Sequence, residues 1–158
     1  MSEASEADIT QPTQDERTMA VLAHALQMVG AWIAPLVILI VKRKSRFVSF
    51  HALQALLLQT AFFIMTMSIM LIWVAVIFSQ ILSRHGGEQS FYHLAGFFVL
   101  FPLLRLGFTI WWVGILAIVI LYSIKAGRGE WAEYPLLGAL ARKMLKIGPG
   151  GAVPTAGP

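Results

Sequence analysis

The chain has 158 residues, 58% hydrophobic and only 13% charged, with a mean hydropathy of +0.73. A soluble domain carries about 25% charged residues, so composition argues against a water-soluble globule and for an integral membrane protein. The net charge of +4 sits on basic groups that border apolar stretches, which points to anionic lipid and not to nucleic acid.

Cysteine is absent, which removes disulfides, thiolate nucleophiles and Cys-ligated metals. Asparagine is absent too, and aspartate occurs only at Asp8 and Asp15. No carboxylate lies between Glu16 and Glu88, so hydrolytic acid–base chemistry has little to work with. The expectation is a non-enzymatic protein with no catalytic residue, cofactor or metal site.

Residues 1–18 are polar and acidic and read as a disordered tail. Their acidity does not fit a secretory signal. Residues 19–41 carry no formal charge. As a helix they would reach about 34 Å, enough to cross a bilayer core of about 30 Å. Lys42, Arg43, Lys44 and Arg46 end that stretch and mark the cytoplasmic side.

Residues 47–82 are again apolar, but as one helix they would be about 54 Å long, too much for one crossing. Ser49, His51, Gln54 and Gln59 gather at their start. The pattern predicts an interfacial segment over 47–55 and a span over 56–78. Gly86-Gly87 marks a turn within 83–93.

Arg105 interrupts the third apolar stretch. At mid-bilayer it would cost about 2.5–3.5 kcal/mol. A span over 106–124 avoids this and leaves 91–104 as an interfacial segment broken at Pro102. Pro135 suits the first turn of a helix, and Leu136, Leu140, Met144 and Ile147 follow helical spacing opposite Arg142, Lys143 and Lys146. That predicts an interfacial amphipathic helix over 135–147. Residues 148–158 read as a flexible tail.

The expected fold is therefore all-α: a single membrane domain over 19–147, with three transmembrane helices, four being possible, and a C-terminal amphipathic helix. The charge rule predicts a multi-pass protein of the cytoplasmic (inner) membrane, with the N-terminus outside and the C-terminus cytoplasmic.

Polar groups inside apolar stretches are the candidate functional residues: His24, Gln27, His51, Gln54, Gln59 and Arg105. One reading makes His24 and Gln27 an interhelical contact, as polar residues in spans commonly are. Another lines a path for a small solute or ion, with His51 titrating near neutral pH. A third makes His24 and His51 axial ligands of a b-type haem. Antiparallel spans would hold those histidines about 20 Å or more apart, which weighs against haem. The basic residues Lys42, Arg43, Lys44, Arg46, Arg142, Lys143 and Lys146 are expected at the lipid interface. Gly107, Gly114 and Ala117 share a helical face that permits close packing.

Two blocks stand out: Phe47-Val48-Ser49-Phe50-His51-Ala52-Leu53-Gln54-Ala55 and Lys125-Ala126-Gly127-Arg128-Gly129-Glu130, the latter continuing to Tyr134-Pro135. With Asp15-Glu16-Arg17, Ala23-His24 and Ala34-Pro35 before them, they resemble a family of small bacterial membrane proteins of unknown function. That family is grouped with the Tic-twenty-like proteins of the chloroplast inner-envelope import machinery. The resemblance covers residues 15–147. It implies a bundle of three or four membrane helices, no known enzyme activity, and, by analogy, a place in membrane protein translocation or assembly. The partners it implies are other membrane proteins or further copies of the chain.

Overall fold

A computed structural model describes residues 11–82 and 89–148. Among them are five helices and no strands: α1 (Gln14–Gly30), α2 (Ile33–Val41), α3 (Arg46–Leu82), α4 (Gln89–Gly127) and α5 (Leu137–Leu145). Residues 1–10, the turn at 83–88 and the tail from 149 lie outside the described residues.

The acidic segment is not wholly a tail. Thr13 and Glu16 form a capping box, in which Thr13 Oγ1 accepts from the Glu16 amide and Glu16 Oε2 accepts from the Thr13 amide. This reciprocal pair satisfies two orphan donors and starts α1 at Gln14, before the hydrophobic pattern begins.

The first apolar stretch is not one continuous helix. It breaks at Gly30–Trp32, where Ala31 takes a positive φ of 46°. A Cβ on Gly30 would sit 3.1 Å from that of Ala34, so glycine permits the tight break. The chain then returns. Lys42 Nζ reaches Asp15 at 2.6 Å, and Ser45 Oγ donates to Glu16 Oε1 at 2.6 Å. The start of α1 and the end of α2 therefore lie together, and residues 14–41 form a hairpin. Its outward residues are apolar, with Val29, Ile33, Ile40 and Val41 all exposed.

The interfacial segments expected at 47–55 and 91–104 are not separate elements. Residues 46–82 form the single helix α3, and α4 runs unbroken through Pro102 and Arg105. Among the described residues these are the two helices long and apolar enough to cross a membrane. The amphipathic C-terminal helix is present as α5, but it starts after Pro135. Leu136 precedes it at φ 66°, and Lys146 closes it in the left-handed region.

The chain forms two compact units. One is built from residues up to Ala61 and from Ile118 onward. Its core joins Phe50, Leu53, Ala141 and Ile147, and a second cluster joins Ala20, Phe47 and Ala126. Trp131 packs on both clusters. Burying each such aromatic side chain is worth about 1.5–3 kcal/mol. The alanines at 20, 23, 52 and 55 are fully buried, and their small size lets the helix backbones approach.

The other unit is Phe62–Ala117. Trp73 meets Phe101 edge-on at 5.8 Å, while most of its large apolar side chains, Leu71, Ile72 and Ile110 among them, face outward. The hydroxyls of Ser68 and Thr109 donate to carbonyls of their own helix, so they add no unpaired group to an apolar surface. A Cβ on Gly107 or Gly114 would meet nothing within 4 Å. Among the described residues, the close packing that this face permits is therefore not made.

Candidate functional site

The polar residues that stood out in the sequence meet inside the first unit. On α1, His24 and Gln27 are one turn apart and buried. On α3, Phe47, Phe50, His51, Gln54 and Ala55 follow helical spacing and are all buried. The third wall is the segment after α4, where Gly129 at φ 81° turns the chain so that residues 130–134 run past α3. An Arg17 nitrogen lies 3.0 Å from where a Gly129 Cβ would be, which also favours glycine there.

Four groups form a chain. The Tyr134 hydroxyl lies 2.9 Å from His24 Nδ1. His24 Nε2 lies 3.1 Å from His51 Nδ1. His51 Nε2 lies 3.2 Å from the Glu130 carbonyl oxygen. The direction follows from the last link, because a carbonyl only accepts. His51 Nε2 must carry the proton, so Nδ1 of the neutral ring accepts from His24 Nε2–H. His24 Nδ1 then accepts from the Tyr134 hydroxyl. Both imidazoles are assigned the Nε2–H tautomer by this network, and all four ring nitrogens are used.

Gln54 fastens the same segment at two points. Its Oε1 accepts from the Tyr134 amide at 2.7 Å and its Nε2 donates to the Ala132 carbonyl at 3.1 Å. The side chain thus replaces a strand neighbour for backbone that no helix serves. Tyr122 donates to the Glu133 carbonyl at 2.7 Å and packs on the Tyr134 ring at 4.3 Å. Arg142 of α5 pairs with Glu133. Burial raises the pKa of Tyr134, which keeps the phenol a donor.

Near the surface, the pKa of Glu16 is lowered. The Ser45 hydroxyl is the largest cause and the Thr13 amide the next. Gln27 is buried beside this chain, where its side chain interacts with the Tyr134 hydroxyl.

The structure corrects the separation expected for His24 and His51. They are in hydrogen-bond contact, because α1 and α2 form a hairpin and α1 lies against the start of α3 where a straight span would have carried His24 away. Their ring nitrogens are all taken by neighbours, so no lone pair is directed at an iron between them. Gln59 takes no part in the site, and Arg105 is exposed on the other unit. Lys42 pairs with Asp15, while Arg43, Lys44, Arg46, Lys143 and Lys146 are exposed.

Tyr122 and the backbone of residues 130–134 were not singled out from the sequence as parts of a site. The signal available was the two conspicuous blocks. Phe47, Val48, His51, Gln54 and Ala55 face the segment that Lys125, Ala126, Gly129, Glu130, Tyr134 and Pro135 delimit, about 80 positions on.

The fold and site define a small all-helical membrane protein whose N-terminal hairpin, second apolar stretch and C-terminal segment are tied by a buried hydrogen-bond chain. The chain belongs to the magnetosome magnetite crystal formation protein family, whose model matches residues 15–141. No curated protein and no solved structure matches it. The comparisons give no support to the Tic-twenty-like grouping that the motif blocks suggested.

Proposed function

We propose that this chain is a non-enzymatic component of the magnetosome membrane. It serves magnetite crystal formation by packing against itself or against other membrane proteins. The family match over residues 15–141 carries this reading, because that range spans every residue of the buried chain. The outward glycines of α4 and the apolar surface around them support association within the bilayer. The side chains that a solute path would need are instead engaged with the protein: His24 with His51, and Gln54 with the main chain. Lipid and other membrane proteins are its partners.

In a magnetite-forming bacterium deprived of its own member of this family, the wild-type chain should restore crystal size in electron micrographs. A chain that reaches the magnetosome membrane and leaves the crystals defective would remove the proposal.

The topology proposed with it has two crossings, α3 and α4, in place of three. The α1–α2 hairpin enters the apolar layer and returns, so both termini lie with Lys42–Lys44 on the cytoplasmic side. The chain lacks cysteine, so single thiols report cleanly. In intact spheroplasts Pro12→Cys and Gly148→Cys should resist a membrane-impermeant thiol reagent, while Gly86→Cys should react. Labelling at position 12 but not 148 would restore the odd number of spans.

A further inference from the structure

The junction between the hairpin and α3 forms a groove of about 480 Å³, lined by Asp15, Glu16, Lys42, Arg43, Lys44 and Ser45 among others. We propose that it binds the headgroup phosphate of one anionic phospholipid, whose acyl chains lie along α2. This rests on the reading of the chain as a membrane protein, and it names the lipid class at one place.

The charges in the groove are not equivalent. Lys42 is taken by Asp15 at 2.6 Å. The Glu16 carboxylate accepts from Ser45 Oγ at 2.6 Å, from the Thr13 amide at 2.8 Å and from Thr13 Oγ1 at 3.1 Å. Both anions are therefore satisfied within the protein. Arg43 and Lys44 are exposed and make no ion pair among the described residues. The local surplus is positive.

Two further features add to it. Thr13 and Ser45, which line the groove, stand at the starts of α1 and α3, and both helices present their positive ends there. A phosphodiester oxygen that reaches Arg43 and Lys44 gains charge-assisted hydrogen bonds. A lipid with an ammonium headgroup carries the same phosphodiester but gains much less, since its ammonium is repelled by Arg43 and Lys44 and neither carboxylate is left unpartnered to receive it.

The apolar side of the groove separates a lipid from a free phosphate. Val41 lines it and is 70% exposed, and Ile40 and Val37 continue that exposed face along α2. An inorganic anion has no use for this strip. An amphiphile covers it and places its phosphate beside Lys42–Lys44.

Native mass spectrometry of the full chain in mild detergent tests the site, with phosphatidylglycerol and phosphatidylethanolamine of identical acyl chains as probes. A single phosphatidylglycerol should be retained about tenfold more tightly than phosphatidylethanolamine. Arg43→Gln/Lys44→Gln should abolish that preference while keeping the wild-type circular dichroism and thermal midpoint. The charge-matched Arg128→Gln/Lys143→Gln, outside the groove, should keep it. Excess inorganic phosphate should not displace the lipid.

Equal losses in both double variants would mean diffuse attraction and overturn the site. So would equal retention of the two lipids, or displacement by phosphate. The membrane reading would fail separately, by loss of the chain from the membrane fraction, which none of these lipid results requires.

Discussion

Replacing His51 with alanine is expected to destabilise the protein by about 3–5 kcal/mol, close to the largest effect a single side chain can have. The imidazole is fully buried, with ring contacts to Phe47 at 4.6 Å and Phe50 at 5.4 Å. Its removal opens a cavity among aromatic groups. It also strands two partners, His24 Nε2–H and the Glu130 carbonyl, and each orphaned group costs about 1–3 kcal/mol. Equilibrium unfolding in mixed micelles, followed by far-ultraviolet circular dichroism, measures the loss.

His24→Ala should behave similarly, and the double variant should cost less than the two single losses together, because each already breaks the shared link. A coupling of about 0.5–3 kcal/mol is expected for residues in one network. Strict additivity would show that the two rings do not act together. Nitrogen NMR offers a second check, since both histidines should show the neutral Nε2–H form.

Gln54→Ala should cost about 2–4 kcal/mol, through the same asymmetry between a made and an unmade hydrogen bond. The substitution leaves the buried Tyr134 amide and the part-buried Ala132 carbonyl without their partner. The effect should be local first. Residues 128–136 carry no regular secondary structure of their own beyond a turn at each end, so Gln54 is a main fastening of that segment against α3. Limited proteolysis should therefore cut the variant within 128–136 under conditions that leave the wild type intact. Gln54→Glu should not rescue, since a carboxylate cannot donate to Ala132. An uncut Gln54→Ala protein of wild-type stability would show that Tyr122 and Arg142 hold the segment without Gln54.

Magnetite crystal formation depends on this segment only if the buried chain positions the outward surfaces that other proteins meet. Under that reading, variants of His51 and Gln54 lose function by loosening the fold, and substitutions on the exposed glycine face of α4 lose it with the fold intact.

The membrane character, the helical class and four of the six candidate polar residues, those that prove to be His24, Gln27, His51 and Gln54 of the buried cluster, were legible in the chain itself. They rest on local properties: uninterrupted hydropathy, a cluster of four basic residues at 42–46, and polar side chains where an apolar surround makes them costly. The amphipathic face of α5 was legible for the same reason, since helical period is a local signal. The capping box at Thr13 and Glu16 was also written in the sequence, but the acidity of residues 1–18 masked it.

Tertiary structure alone decided the rest. Hydropathy scores length and polarity and has no measure of direction, so 19–41 read as a crossing. The positive φ at Ala31 and the Asp15–Lys42 pair turn it back. Hydropathy likewise counts Pro102 and Arg105 as interruptions, although the helix backbone continues through both. The meeting of His24, His51 and Tyr134 joins residues up to 110 positions apart. No local pattern encodes such a contact, because it depends on where the hairpin lays α1 and where Gly129 turns the chain.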